Sequence, residues 1–145
     1  MVAEDNWIGA QALALLRRRP MGKPFFIEVS HQAPHPPMDV TAGMVASNGL
    51  RSRRFPLPVE CTPGEAGCYS AQSIQVGRQN YAAKIERLDY WLGEYLTLLT
   101  IQKVRHSTIV CIASDHGEML FDRGVTAKSR PWSSAASVPL ICSGP

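Results

Sequence analysis

Ile8, Ala12, Leu15 and Leu16 recur at i, i+4, i+7 and i+8, the spacing of one helical face. With Asp5 or Asn6 as N-cap and Pro20 as stop, the pattern predicts a helix over 6–19. Phe25, Phe26, Ile27 and Val29 then form a short β-favouring run over 24–30, closed by the proline-dense Ala33-Pro-His-Pro-Pro37. That is a strand leading into a rigid turn. The clearest periodicity is Tyr81, Ile85, Leu88, Leu92, Tyr95 and Leu99. It predicts a helix of about five turns, from an Asn80 cap to near Gln102. Ser107-Thr-Ile-Val-Cys-Ile-Ala113 is an unbroken β-branched run, as in a strand covered on both faces, and Val138-Pro-Leu-Ile-Cys142 is a second, which Pro139 pushes towards an edge, a strand start or a bulge.

Strand, helix, strand is the order of a right-handed parallel crossover, so the predicted fold class is α/β: a partial, mainly parallel sheet of about three or four strands with helices packed on it. The stretch 31–79 is rich in Pro, Gly, Ser and Arg and reads as a long loop that is functional, mobile or hiding a short helix. Ligands of open parallel sheets bind beyond the carboxyl ends of the strands. Two such ends carry polar residues, His35 after the first strand and Asp115-His116 after the second.

With 145 residues, 45% apolar and 19% charged, the chain is predicted to form one domain over 1–145, which sets aside disorder, collagen-like repeats and coiled coil. A formal charge of +3 is too small to imply nucleic acid or a membrane surface, and the basic Arg51-Ser-Arg-Arg54 lacks interleaved aromatics. No apolar run approaches the roughly 20 residues of a membrane span. The first arginines, Arg17 to Arg19, follow the apolar stretch instead of preceding it, the wrong order for an export signal, so a soluble, cytoplasmic protein is the default expectation. Cys61, Cys68, Cys111 and Cys142 have no zinc spacing and read as thiols without a shared role. Cys111 and Cys142 are expected to be buried in strands, whereas Cys61 and Cys68 share a loop in which they could pair under oxidising conditions.

Asp115 followed at once by His116, with Gly117 permitting a tight exit, offers a carboxylate oxygen and an imidazole nitrogen to a divalent cation. The same residues also support a local reading, in which Asp115 caps the turn and His116 satisfies a nearby hydrogen bond. Taken singly, His35 reads as an exposed loop histidine and Lys128 as a surface lysine.

Four segments change that balance by occurring together. Lys23-Pro-Phe-Phe-Ile-Glu-Val-Ser-His-Gln-Ala-Pro-His-Pro-Pro37 leads into a Pro-His-x-Pro turn; Tyr81-Ala-Ala-Lys-Ile-Glu-Arg-Leu-Asp89 is followed by Gly93; Ser114-Asp-His-Gly-Glu-Met-Leu120 is followed by Lys128; Ser137-Val-Pro-Leu-Ile-Cys-Ser-Gly-Pro145 ends the chain. In this order, over nearly the whole sequence, they resemble the sulfatase branch of the alkaline phosphatase superfamily. The resemblance implies that Asp115 and His116 are ligands to a single divalent cation, calcium foremost and manganese or magnesium in some branches. It implies that His35 and Lys128 contact the sulfate ester as catalytic residues, and that the reaction is sulfuric ester hydrolysis. A relative acting on phosphate or phosphonate esters uses the same clamp on a tetrahedral anion. A non-enzymatic α/β interaction module is the reading if the four groups do not converge.

The family's nucleophile is a cysteine or serine converted to formylglycine within Cys-or-Ser-x-Pro-x-Arg, ahead of the Pro-His-x-Pro turn, and no such signature occurs in this sequence. Cys61-Thr-Pro-Gly-Glu65 has glutamate at the arginine position and follows His35. The family's early acidic ligand pair and the Lys/His pair after its nucleophile are also absent. The expectation is therefore a C-terminal portion of the catalytic domain, inactive alone. Its cation would be weakly held or absent, since two protein donors fall short of the six or so a hard cation takes, and homo-oligomers are expected through an uncovered sheet edge. Phe121-Asp-Arg-Gly124 departs from the Gly-Asp-His-Gly of many relatives, and Ser133 and Ser137 replace an acid and an arginine beside the last strand, while Trp132 keeps an aromatic.

Overall fold

A computed structural model describes residues 2–46, 53–58, 61, 67–128 and 130–145. Arg51 and Ser52 of the basic patch, and Thr62 to Glu65 of the Cys-x-Pro segment, lie outside the described residues. The elements are α1 (Val2–Arg18), α2 (Ala42–Ala46), α3 (Ala71–Ile101), β1 (Val110–Ala113), α4 (Ser133–Ala136) and β2 (Leu140–Ser143), with single 3-10 turns at Arg105–Ser107 and Asp122–Gly124.

The core is a helix pair. The buried face of α1 carries Asp5, Gly9, Ala12, Leu13 and Leu16 and packs on α3, which contributes Ala83, Lys84, Trp91 and Leu99. Each large apolar side chain removed from water there is worth about 1.5–3 kcal/mol. Gly9 is required by close approach, because a Cβ at that position would overlap the Trp91 indole. Polar bonds fix the two ends of the seam. Asn6 Oδ1 accepts from Arg87 Nε at 2.7 Å and Trp91 Nε1 at 3.3 Å, and Gln102 Nε2 donates to the Leu16 carbonyl at 3.1 Å while its Oε1 accepts from Arg19 Nε at 2.9 Å.

Helix α1 starts four residues earlier than the cap residues suggest, so Asp5 and Asn6 lie inside its first turns and spend their side chains on tertiary bonds. Helix α3 starts at Ala71, where Ser70 Oγ accepts from Ser73 N at 3.1 Å, and Asn80 is a mid-helix residue instead of a cap. Its first turns escape the sequence pattern because Ile74 is their only buried apolar residue and Gly77 packs directly under the Phe121 ring. Leu15 and Ile85, members of the predicted stripes, are exposed.

The sheet differs most from expectation. Among the described residues it is a two-stranded antiparallel pair, with Val110 opposite Ser143 and Ala113 opposite Leu140, not a mainly parallel sheet. Residues 24–30 are extended with alternating exposure but hydrogen-bond to no strand among the described residues, and Phe26 is 89% exposed. Extended backbone becomes a strand only when a neighbour takes up its N–H and C=O groups, and hydropathy alone cannot supply that neighbour. The faces of β1 and β2 are likewise uncovered, Leu140 being 74% exposed. Cys111 and Cys142 are therefore exposed instead of buried, and as register partners they form a disulfide; Cys61 and Cys68 form another. No described helix is long and apolar enough to cross a membrane.

Tyr95 joins α3 to the end of the extended segment, its hydroxyl 3.0 Å from His31 Nε2. Burial pushes the Tyr95 phenol up to about 12 from an ordinary 10.0. As pH rises between those values the unfolded chain releases a proton that the folded chain keeps, so stability falls through that window. Urea unfolding from pH 10 upward is expected to show a falling midpoint that Tyr95→Phe flattens; an unchanged pH slope in the variant contradicts this assignment.

Candidate functional site

The first arm of the site is the turn after the extended segment. It contains cis peptide bonds at Ala33–Pro34 and Pro36–Pro37, and its backbone is closed by His35 N donating to Gln32 O at 3.0 Å. Prolines leave few local donors, so the turn is held from outside by the helix pair. Asp5 Oδ1 accepts from Gln32 N at 3.0 Å and Ala33 N at 3.1 Å. From α3, Lys84 Nζ donates to the carbonyls of His35 at 2.8 Å and Pro37 at 3.1 Å, and Asn80 Nδ2 donates to that of Met38 at 2.8 Å. Asp5 is 2% exposed and Lys84 1%. Burial lowers the Lys84 ammonium below its ordinary range, against the opposing pull of Asp39 and Asp5.

The second arm follows β1. Ser114 Oγ donates to His116 O at 2.7 Å, Asp115 Oδ1 accepts from His116 N at 3.0 Å, and Gly117 N donates to Ala135 O at 2.8 Å. A side chain at Gly117 would overlap the Ser134 carbonyl, which is why the exit is glycine. Glu118 Oε1 then accepts from Leu120 N at 3.2 Å and from Ala127 N, while Met119 N donates to Ala127 O at 3.0 Å. This staple closes the loop that delivers Lys128.

The two arms meet. The rings of His35 and His116 lie edge to face with centroids 5.9 Å apart, Lys128 Nζ is 2.6 Å from His116 Nε2, and Asp115 Oδ2 is 3.7 Å from the same nitrogen. Thus His35, Asp115, His116 and Lys128 gather at one place although no parallel pair of strands brings them there. Both imidazoles have Nδ1 2.7 Å from a neighbouring carbonyl, Pro36 O for His35 and Gly117 O for His116. A carbonyl only accepts, so Nδ1 carries a proton in each ring, and in the neutral imidazole the electron pair lies on Nε2. A backbone carbonyl on the second nitrogen is the usual orientation of a metal-binding histidine.

The local hydrogen bonds of the alternative reading are also present, but they use Asp115 Oδ1 and His116 Nδ1; Asp115 Oδ2 takes no part in them, and His116 Nε2 faces Lys128 Nζ. Oδ2 and Nε2 are close enough to reach one cation, so the donor types and spacing fit a divalent ion in part. Among the described residues no third His, Cys, Asp or Glu joins them.

Behind the Lys128 loop lies a cleft of about 330 Å³ between Tyr81, Arg78, Glu118 and Asp122. Burial, then the Glu118 charge, raises the Tyr81 phenol above its ordinary value. Arg78 is fully engaged, donating to the carbonyls of Leu120 at 3.0 Å and Pro56 and to Asp122 Oδ1 at 2.9 Å, while Asp122 Oδ2 accepts from Ser134 Oγ at 2.9 Å. These bonds brace the loop against α3 and α4.

Sequence reasoning missed the residues that position the site. Asp5 looks like a helix cap and Lys84 like the polar neighbour of Ile85. The available signal was a charged residue in register with the apolar face, Asp5 four positions before Gly9 and Lys84 seven before Trp91.

Comparison with known proteins gives a match to the family described as Sulfatase over residues 3–145. An arylsulfatase of Clostridium perfringens is 26% identical over 97% of this chain and 32% of its own length. A choline-sulfatase of Rhizobium meliloti is 35% identical over 51% of this chain and 14% of its own. The fold matches that of the phosphonate monoester hydrolase SpPMH from Silicibacter pomeroyi with a TM-score of 0.79, at 22% identity, covering 95% of this chain and 32% of that one. The chain spans about a third of the length of the relatives it matches over most of its own length.

Replacing Lys84 by Met removes its two hydrogen bonds to the carbonyls of His35 and Pro37, each worth about 1.5–3 kcal/mol as a bond to a charged group. Thermal unfolding of Lys84→Met is expected to come several degrees lower, and cross-peaks between the His35 and His116 rings to vanish. Wild-type stability with the ring contact intact would refute the anchoring role.

Proposed function

The chain belongs to the sulfatase family of the alkaline phosphatase superfamily, and on that premise we propose that it carries the anion-clamping and cation-binding side of a sulfate ester hydrolase centre. The observation that supports this reading is the meeting of His35, Asp115, His116 and Lys128 from three separate parts of the chain. Asp115 Oδ2 and His116 Nε2 are the atoms that would hold a divalent cation, calcium, manganese or magnesium. Such an ion supplies positive charge against the ester's oxygens as the sulfur–oxygen bond breaks.

The chain's own cationic group adds to that field. Lys128 is a compact point charge on a flexible stem, suited to a sulfuryl oxygen. His35 Nε2, which has no hydrogen bond among the described residues, is the atom placed to contact the ester and to exchange a proton with the leaving oxygen. The sequence contains no Cys-or-Ser-x-Pro-x-Arg, so these 145 residues supply the clamp without the attacking group. We take the chain to correspond to the C-terminal part of the family's catalytic domain.

In the presence of calcium or magnesium, an aryl sulfate is expected to shift the imidazole resonances of His35 and His116, and His35→Ala or Lys128→Ala to weaken that binding by about tenfold, the scale of one charge-assisted hydrogen bond. The chain alone is expected not to turn the ester over. Shifts confined to other residues, or equal binding by the variants, would overturn the site. Turnover by the 145 residues would overturn the placement of the nucleophile outside them, and selective binding of an aryl phosphonate would move the assignment to phosphonate esters.

A further inference from the structure

Lys128 and the cation pair share one atom. Because Nδ1 of His116 is committed to Gly117 O, the ring has a single electron pair left, on Nε2, and Lys128 Nζ stands 2.6 Å from it. The contact has the geometry of an ammonium N–H donating to an imidazole nitrogen. A metal ion bound to His116 needs that same electron pair.

We propose that Lys128 and a divalent cation compete for Nε2 of His116, so that the lysine fills the cation's place on the imidazole in the metal-free chain and is released towards the anion when the cation binds. The inference rests on the sulfatase reading of Asp115 and His116. What it adds is an order of events: the site cannot present both its cation and its bridged lysine, and loading the first frees the second. The arrangement suits Lys128 better than it would an arginine, because one rotatable ammonium can break one bond and swing, whereas a planar guanidinium would bring several donors to a spot that offers one acceptor. Its loop permits this, since Glu118 anchors the backbone at Ala127 and leaves the lysine stem beyond the staple. The exchange makes cation and anion binding mutually favourable, because each removes a competitor or supplies a partner for the other.

Two measurements on the 145-residue chain at one fixed pH test it. In metal-free protein with 15N-labelled histidine, the His116 Nε2 resonance, assigned with His35→Gln, is expected to carry the upfield displacement of an accepting nitrogen and to move to the free-electron-pair position in Lys128→Met. Calorimetric titration with manganese chloride is expected to give binding about tenfold tighter in Lys128→Met than in wild type, the scale of one charge-assisted hydrogen bond no longer displaced, and no binding in Asp115→Asn. An Nε2 resonance identical in wild type and Lys128→Met overturns the proposal, as does equal or weaker manganese binding by that variant. If Asp115→Asn still loses manganese in that case, the cation pair stands without the competition. If no form binds manganese, the cation pair falls and the competition with it.

Discussion

Two buried charges working on one stretch of backbone are what the rest depends on. Asp5 and Lys84 lie on facing helices, each almost wholly removed from water, and they are not a simple ion pair. Each is satisfied by main-chain groups of the 32–37 turn, the carboxylate by two N–H groups and the ammonium by two carbonyls. Burying an ion without such partners is costly, and four well-aimed hydrogen bonds offset that cost only while the turn stays where it is. The helix pair therefore dictates the position of His35, and a proline-rich turn with few internal bonds becomes a rigid platform.

The second arm reaches the same place by different means. Gly117 lets the chain leave β1 against the backbone of α4, and Glu118 folds the following loop back so that Lys128 returns to the residue pair it left. The edge-to-face histidines His35 and His116 join the two arms, and the Lys128 contact closes the second arm on the same ring. A centre assembled in this way is well placed to respond to ions, since its closing contacts are the ones an ion would replace.

Much of the helical architecture was legible, because a stripe of large apolar residues has one physical meaning when it repeats at 3.6. The faces were less so. Ile85 has the right character for burial and is exposed, while Lys84 beside it is buried with its ammonium donating to two carbonyls of a distant turn, partners that the local sequence does not reveal. The sheet was read least well. Residues 24–30 have strand composition and β1 has strand composition, but pairing direction belongs to the neighbour, and β1 found β2 in antiparallel register. That register also placed Cys111 opposite Cys142, a relation invisible while both were assigned to buried parallel strands. The candidate site residues were selected from a resemblance spread over four segments; none of the four was compelling by itself, and their supporting residues carried no motif at all.

The account's central claim is that Asp5 and Lys84 hold the His35 turn on the helix pair, and amide hydrogen exchange reads it most directly. Gln32 and Ala33 sit in a segment with no strand partner among the described residues, and their N–H groups donate to Asp5 Oδ1. The account predicts slow exchange at both amides in the wild-type chain and fast exchange at both in Asp5→Ala, with the central α3 amides unchanged. Fast exchange of Gln32 and Ala33 in the wild-type protein would contradict it.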